Sequence, residues 1–411
     1  MHHTDHPLAS PLTLRNGSRL KNRIAKSAMS EGMATPDNRV TPALVRLYRR
    51  WARGGGGLLL TGNVMVDRRA LGEPGNVVIE DERDLPLLRQ WAQAATNEGV
   101  AIWVQLNHPG RQSPKGLNRQ NVAPSAIPFG PEMKAFFDTP RALSGAEIED
   151  IIARFAKAAA ICREAGFTGV QIHGAHGYLV SQFLSPLTNQ RQDEWGGSPE
   201  NRRRFVLELL KAMRAATSPD FPIGIKLNSA DFQRGGFSEE ESLEVMRALD
   251  AAGIDLIEVS GGTYEAPAMA GLRESSRKRE AYFMDFAERL RQEVDTPLMV
   301  TGGFRSHAGM SEALGTGALD LVGLARPLAI EPDLPRRLLR GQDPLHAVRP
   351  IKTGIGLVDR AGLMEVMWYA RQLRRMGRGK EPRPRESALG SLFWNMAGNL
   401  RGTLQTRRLR A

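Results

Sequence analysis

Short apolar segments alternate with longer amphipathic ones along most of the chain. The short segments are nearly all apolar and lack the polar–apolar alternation of a strand that has one face in water. Such unbroken runs are typical of strands covered on both faces, as in a parallel sheet. The predicted strands are Ile24–Met29, Gly57–Thr61, Ala101–Leu106, Gly169–His173, Ile223–Leu227, Leu256–Ser260, Leu298–Thr301 and Leu321–Leu324.

The longer segments carry helical periodicity and recognisable start signals. Ala146–Ala165 follows Ser144, a residue type that caps helices. Ser238–Ala252 opens with Ser238 and Glu241 in the spacing of a capping box. Eight strands with seven intervening helical segments predict an α/β fold, a closed (β/α)8 TIM barrel. A doubly wound sheet is the alternative, but the glycine-rich motif that usually follows its first strand is absent from the sequence.

Segments at the two ends of the chain are expected to extend this barrel. The stretch "PLTLRNGSRLKNR" reads as a β-hairpin with Asn16-Gly17 at its turn, and we expect it to close the N-terminal mouth of the barrel as a lid. Beyond about Ala370, "RQLRRMGRGKEPRPRE" is typical of a linker rich in Pro, Gly and Arg. The predicted division is a barrel domain over residues 1–370 and a basic linker with a helical tail over residues 371–411.

The formal net charge of +11 is concentrated in that tail. Residues 371–411 hold 11 Lys/Arg against Glu381 and Glu386, a net +9, so the rest of the chain carries only +2. A near-neutral body gives no grounds for a nucleic-acid enzyme. We expect a tail helix that packs on the barrel or on a neighbouring subunit of a homo-oligomer; peripheral contact with a membrane surface is the alternative. Its apolar residues recur at helical spacing, at Leu389, Leu392, Phe393, Met396, Leu400 and Leu404.

The presence of only one cysteine limits which covalent and metal sites the chain can form. Cys162 lies in an apolar helical stretch, so neither a disulfide framework nor an iron–sulfur cluster held by several thiolates is expected. The N-terminal residues lack the positive region and apolar stretch of a secretory signal. No window approaches the roughly 20 apolar residues of a membrane span. We therefore expect a cytoplasmic location.

Polar residues at the C-terminal ends of barrel strands are candidates for catalysis by their position. This ring of residues is rich in hydrogen-bond donors and contains no acidic cluster. A hydrolytic carboxylate dyad and a two-metal carboxylate site are therefore not expected. The candidates are Ser27, Ser30, Thr61, Asn63, Gln105, Asn107, His108, His173, His176, Tyr178, Lys226, Asn228, Ser260 and Arg326.

Two features of the ring suit a phosphorylated heterocycle. The turns "VTGGFRS" and "LVGLARPL" follow the seventh and eighth strands, the usual phosphate position in such barrels. Gln105 and Lys226 present an amide and a cation that would suit a ring gathering negative charge on reduction. A salt bridge inside the core is the alternative for Lys226, and it is disfavoured because "GIKLNS" supplies no adjacent acid.

The segment "HGAHGYL" combines two imidazoles and a phenol after the fourth strand. His173, His176 and Tyr178 could serve a metal, a packed core, a nucleophile relay or a clamp for a carbonyl oxygen. Zinc is disfavoured because the neighbouring loop offers only Asp193 and Glu194 as further ligands.

Six motifs occur in order along the chain: "LKNRIAKSAMS", "QLNHPGRQ", "HGAHGYLVSQFLSPLTNQRQDEWGGSPENRRRF", "KLNSADF", "VTGGFR" and "GLARP". Through these motifs the sequence resembles the Old Yellow Enzyme family of FMN-dependent NAD(P)H:flavin oxidoreductases over roughly residues 8–340. The resemblance implies a (β/α)8 barrel with a hairpin lid, non-covalent FMN, and NADH or NADPH as the reductant, without an iron–sulfur cluster. The cofactor-binding residues that it implies are Ser27, Ala28, Met29, Ser30, Gln105, Lys226, Gly302, Gly303, Ala325 and Arg326.

The resemblance also implies roles on the substrate side. His173 and His176 would donate hydrogen bonds to the carbonyl or nitro oxygen of an activated alkene, and Tyr178 would donate a proton to its α-carbon. Asn63 and Asn107 would flank this small-molecule substrate. The implied activity is that of an ene-reductase; the alternatives are an NADH oxidase that passes electrons to oxygen or another acceptor, and a flavin-binding barrel without catalysis.

Overall fold

The computed structural model describes residues 6–131, 133–263, 283–353 and 363–391. Its strands are β1 (Leu12–Thr13), β2 (Arg19–Leu20), β3 (Ile24–Lys26), β4 (Leu58–Met65), β5 (Val77–Val78), β6 (Ala101–Asn107), β7 (Val122–Ala123), β8 (Arg141–Ala142), β9 (Gly169–Gly174), β10 (Ile223–Asn228), β11 (Leu256–Ser260), β12 (Leu298–Thr301) and β13 (Leu321–Leu324). Its helices are α1 (Pro42–Arg53), α2 (Leu85–Thr96), α3 (Gly145–Glu164), α4 (Leu179–Leu184), α5 (Pro199–Ala216), α6 (Glu239–Ala251), α7 (Met284–Arg291), α8 (His307–Gly315), α9 (Arg326–Ile330), α10 (Leu334–Leu338) and α11 (Leu363–Gly377).

Eight parallel strands form a closed barrel. The strand order is β3-β4-β6-β9-β10-β11-β12-β13, and the pairing of β13 with β3 closes the circle. Each predicted strand is present, and at least one helix connects each consecutive pair, so the (β/α)8 prediction is confirmed. β3 is shorter than predicted because the chain leaves the sheet after Lys26.

The helix boundaries follow the predicted caps. The side chain of Ser144 accepts a hydrogen bond from the backbone N–H of Glu147 at the start of α3. The Glu147 carboxylate in turn accepts one from the backbone N–H of Ser144. Ser238 and Glu241 form the same reciprocal pair at the start of α6, as predicted. Each capping box satisfies N–H groups that the first turn of a helix leaves without partners.

The interior of the barrel is apolar toward the N-terminal ends of the strands. Side chains at alternate strand positions, including Leu58, Leu60 and Leu256, pack together inside, whereas their neighbours face the helices. Trp103 fills the centre because two glycines make room for it. A Cβ at Gly169 or Gly224 would come within 2.6 or 2.8 Å of the indole.

The predicted hairpin is formed by β1 and β2, with Leu12 paired to Leu20. Gly17 takes a φ of 85°, which the turn requires and which glycine adopts without strain. Leu12, Leu14 and Leu20 join the apolar cluster inside the barrel. The hairpin is therefore packed against the N-terminal half of the interior.

The chain just after Ala370 differs from the predicted linker. Helix α11 continues through Gly377, so residues 371–377 are helical, and the linker interpretation is wrong for them. The reason is packing: Arg46 of α1 donates a hydrogen bond to the Gly377 carbonyl at 2.9 Å, and Trp368 is 1% exposed. The predicted tail helix falls mostly on residues 392–411, which lie outside the described residues, so its contacts with a subunit or a membrane stay predictions.

We expect Gly224→Ala to lower the midpoint of urea unfolding, because the added methyl would press on Trp103 in a closely packed interior. Overpacking of this kind costs about 1–3 kcal/mol. Gly145→Ala is the matched control, since a Cβ there meets nothing within 4 Å. Equal unfolding midpoints for the two variants would show that Trp103 does not fix the barrel interior.

Candidate active site

A continuous polar network crosses the barrel near the C-terminal ends of its strands. Lys226 Nζ lies 2.9 Å from Glu258 Oε1, and both side chains are buried. The glutamate also accepts hydrogen bonds from Thr301 Oγ1 at 2.7 Å and from Gln171 Nε2 at 2.7 Å. Gln105 Nε2 donates to Gln171 Oε1 at 2.8 Å.

This network corrects one expectation about Lys226. The sequence offered no acid beside the lysine, but the parallel register of β10 and β11 places Glu258 directly opposite it. The acid is remote in sequence and adjacent in space, which local inspection cannot detect. The alternation of side chains along β11 could have predicted this acid, because Glu258 lies on the same inward face as Leu256.

His173, His176 and Tyr178 are brought together as the sequence predicted. The ring centroids of the two histidines lie 5.3 Å apart, and those of His173 and Tyr178 lie 4.7 Å apart. Burial lowers the pKa of His173 well below its usual value, with His176 and Lys226 adding to the effect. Burial, and then Lys226, lower the pKa of His176 in the same direction. Both imidazoles are therefore neutral at pH 7.

The hydrogen bonds of the two rings assign the protonated nitrogen of His173 and tie that of His176 to the direction of its bond with Ser260. His173 Nδ1 accepts the backbone N–H of Ala175 at 3.3 Å, so its proton is assigned to Nε2. His176 Nε2 lies 2.8 Å from Ser260 Oγ. If the serine donates this bond, the proton of His176 is on Nδ1. His176 itself has a φ of 63°, and its backbone N–H donates to Asn228 Oδ1 at 3.2 Å.

The two asparagines predicted on the substrate side lie in this region. Asn63 Nδ2 lies 3.3 Å from the Tyr178 hydroxyl and 3.5 Å from Ser30 Oγ, so it joins two strand ends. Asn107 ends β6 on the inward face that also carries Trp103 and Gln105. It is 1% exposed, and neither polar atom of its side chain has a hydrogen-bond partner among the described residues.

The segment after β3 runs along the end of β4. Ser27 Oγ lies 2.8 Å from Thr301 Oγ1, which connects this segment to the polar network. Ala28 packs against the inner cluster and Met29 against the main core. Glu31, which sequence reasoning missed, accepts the backbone N–H of Gly62 at 2.9 Å.

A buried lysine, Lys26, packs between this segment and α1, on the outer side of the barrel. Lys26 faces α1, where its Nζ donates to the Leu60 carbonyl at 2.6 Å and lies 4.5 Å from the centre of the Trp51 ring. Tyr48 donates a short hydrogen bond to Glu31 in the same cluster. Burial lowers the pKa of Lys26 from 10.5 to about 8, although the neighbouring Glu31 acts in the opposite direction.

The predicted phosphate site combines the ends of β12 and β13, which are neighbours in the sheet. Gly302 and Gly303 have φ values of 116° and 90°, a backbone conformation that glycine adopts readily. Ala325 precedes α9, and Arg326 begins it. Arg326 Nη1 also pairs with Glu365 of α11 at 3.0 Å, a partner that the sequence did not indicate.

The comparisons with known proteins agree with this geometry. The model of the family described as "NADH:flavin oxidoreductase / NADH oxidase family" matches residues 7–343.

The chain belongs to this family.

The NADH-dependent flavin oxidoreductase iccE of Talaromyces variabilis is 37% identical over 409 residues, which cover 90% of this chain and 98% of the relative. The flavin oxidoreductase iliE of Neonectria sp. (strain DH2) is 40% identical over 353 residues, which cover 79% of this chain; this chain spans 46% of that longer relative. Among solved structures, morphinone reductase is similar with a TM-score of 0.69 at 26% identity, covering 86% of this chain and 94% of that one. The Old Yellow Enzyme resemblance is thus confirmed, and it places the chain among the flavin oxidoreductases.

Two observations test whether the ring of residues fits the flavin mononucleotide of this family. The glycine turn beside Arg326 is suited to a phosphate, because backbone N–H groups and a cation meet there. The amide of Asn107, which has no hydrogen-bond partner in the part of the chain that the structure describes, faces the interior, where a polar group of a ligand would satisfy it. With Gln105 and Lys226 on the same inward face of their strands, the residues present fit FMN.

Other kinds of site find less support. Among the described residues, no three His, Cys, Asp or Glu side chains lie together in a way that could hold a metal ion. Cys162 is buried, and burial raises the pKa of its thiol. Within the described ranges, no helix is long and apolar enough to span a membrane.

The buried Lys26 predicts a specific dependence of stability on pH. Between its folded pKa of about 8 and its ordinary value of 10.5, the unfolded chain binds more protons than the folded one. Relative to Lys26→Met, the wild-type free energy of unfolding should therefore rise with pH across this window, by about 3 kcal/mol in total, and stay level below pH 8.

Urea unfolding at pH 7, 8, 9 and 10 measures this difference. The control is Lys211→Met, because Lys211 has a side chain that is 77% exposed and should give no such trend. A wild-type advantage that falls as pH rises would contradict the assignment of Lys26 as a buried ammonium that is costly to keep charged.

Proposed function

We propose that this chain is an FMN-dependent oxidoreductase that takes electrons from NADH or NADPH and reduces the double bond of an α,β-unsaturated carbonyl or nitro compound. The observation that carries the proposal is the cluster of His173, His176 and Tyr178 at the polar end of a barrel of this family. Family membership supports the flavin and the nicotinamide. The alkene as substrate rests on these three side chains.

The cofactor would be held without a covalent bond. Gly302, Gly303, Ala325 and Arg326 would bind its phosphate, and Ser27 to Ser30 would line its ring. Gln105 would bond the pyrimidine edge, and Lys226 would stabilise the negative charge that collects there. When bound, FMN supplies the hydride that reaches the β-carbon of the alkene.

The two histidines would bind the substrate oxygen as neutral donors. His173 offers Nε2–H, because its Nδ1 already accepts a backbone bond. His176 offers Nδ1–H when Ser260 donates to its Nε2. Two N–H groups aimed at one oxygen withdraw electron density from the conjugated double bond, which makes its β-carbon electrophilic. The low pKa of both rings keeps them neutral over the whole physiological range.

Tyr178 would complete the reaction as the general acid. Its ring centroid lies 4.7 Å from that of His173, and its hydroxyl receives a hydrogen bond from Asn63 Nδ2 at 3.3 Å, which orients it. As hydride reaches the β-carbon, the phenol proton passes to the α-carbon, and the tyrosinate is later protonated by solvent. Asn107 would accept or donate a hydrogen bond to a second polar group of the substrate and so influence which alkene binds.

The clamp is tested by changing both histidines. His173→Ala/His176→Ala should retain FMN but bind phenol or 2-cyclohexenone about 5- to 150-fold more weakly, since two hydrogen bonds worth about 0.5–1.5 kcal/mol each are lost. The measurement is titration of the flavin absorption with each ligand. The control is Lys211→Ala, because the Lys211 side chain is 77% exposed on α5, a helix outside the barrel. Unaltered affinity in the double variant would exclude the clamp.

The general acid is tested by separating the two half-reactions. Tyr178→Phe should slow reoxidation by 2-cyclohexenone about 10²–10⁴-fold, the usual contribution of a positioned acid, while reduction by NADH keeps its rate. Stopped-flow absorbance under anaerobic conditions measures both rates. Equal slowing of the two would indicate a structural effect. A wild type that reacts only with oxygen would favour the NADH oxidase alternative.

A further inference from the structure

Glu258 is a fully buried carboxylate at the centre of the polar network, and the proposed reaction leaves it without a role. It is 0% exposed. Its Oε1 contacts Lys226 Nζ at 2.9 Å and Thr301 Oγ1 at 2.7 Å, and its Oε2 accepts from Gln171 Nε2 at 2.7 Å. Each of these three contacts leads to a residue proposed to touch the flavin.

The contacts of Glu258 with Lys226 and Thr301 lead to the flavin through one residue and two residues, respectively. Lys226 is itself the proposed partner of the negative charge on the ring. Thr301 donates its single proton to Glu258, so the 2.8 Å bond between Thr301 and Ser27 must be donated by Ser27. The hydroxyl proton of Ser27 is therefore directed at Thr301, so toward any other neighbour the Ser27 oxygen can only accept.

The third contact, through Gln171, determines which atom of the Gln105 amide donates a hydrogen bond and which is left to accept one. An ionised carboxylate only accepts, so Gln171 must present its amide nitrogen to Glu258 and its carbonyl oxygen to Gln105. Gln105 must then donate from its own nitrogen. This leaves the carbonyl oxygen of Gln105 available to accept a hydrogen bond from an N–H on the edge of a bound ring.

The charge of Glu258 acts in a second way. A lone cation beside a ring favours the state in which the ring has gained negative charge. A carboxylate at 2.9 Å offsets much of that field, and more strongly inside a protein than in water.

We propose that Glu258 is a positioning residue for the flavin, which fixes the hydrogen-bond direction of Gln105 and offsets the charge of Lys226, thereby lowering the reduction potential of the bound cofactor. The inference rests on the proposed function, because it requires FMN in the barrel. A core ion pair with a purely structural role is the competing explanation, and a buried pair alone says little about stability.

The residue that precedes the same strand offers a matched control. Asp255, directly before β11, is 3% exposed, lies 2.5 Å from Arg214 Nη2, and accepts the backbone N–H of Ile223 at 2.8 Å. It is likewise a buried acid in an ion pair, but it lies toward the N-terminal mouth of the barrel, away from the strand ends.

The experiment measures the midpoint potential of bound FMN at pH 7 in Glu258→Gln and Asp255→Asn, together with FMN stoichiometry and thermal unfolding. Glu258→Gln should bind reduced relative to oxidised FMN about 10- to 100-fold more favourably than the wild type does. For a two-electron couple this is a positive shift of about 30–60 mV. Asp255→Asn should unfold at lower temperature with the potential unchanged.

Two further variants keep the test decisive if Glu258→Gln does not fold. Lys226→Gln should shift the potential in the negative direction, since it leaves the carboxylate without its cation. Lys226→Gln/Glu258→Gln restores the charge balance and should return the potential close to the wild-type value. A wild type that takes up no FMN overturns the proposed function and the inference with it. A wild type that binds FMN, with equal potentials in the folded variants or a negative shift in Glu258→Gln, overturns the inference alone.

Discussion

The site exists because β13 pairs with β3, and β3 in turn pairs with β4. These pairings close eight parallel strands into a barrel, so that all eight carboxyl ends meet at one mouth. Ser27 then lies beside Thr301, although 274 residues separate them in the chain. An open sheet with the same strands would leave these groups at opposite edges. Closure therefore creates the site as well as the core.

The interior divides along the barrel axis into an apolar half and a polar half. Trp103 and the leucines around it bury apolar surface near the hairpin, and this packing stabilises the scaffold. At the other end, Lys226, Glu258 and the amides bonded to them are buried at an electrostatic cost, which their mutual hydrogen bonds offset. We interpret the closely packed apolar half as the support that holds the polar half, whose burial costs free energy, in one arrangement.

Local patterns in the sequence predicted the strands, the capped helices and most strand-end residues, because strand and helix periodicity depend on neighbours in the chain. The same patterns missed Glu258, Glu31 and Glu365, which meet their partners only through strand register or through packing of a remote helix. The absence of an acid next to Lys226 was misleading for this reason. Residues 371–377 were mistaken for a linker because their helix is stabilised by α1, a contact that composition does not reveal.

We propose that this strand-end ring binds FMN and directs its electrons to an activated alkene. The most direct test of this proposal is the absorption spectrum of the purified protein during an anaerobic titration with NADH or NADPH, followed by addition of 2-cyclohexenone. We expect a flavin spectrum with one FMN per chain, bleaching by the nicotinamide, and full recovery on adding the enone, with cyclohexanone as the product. A colourless protein that takes up no FMN, or a bleached flavin that the enone does not reoxidise, would contradict the proposal.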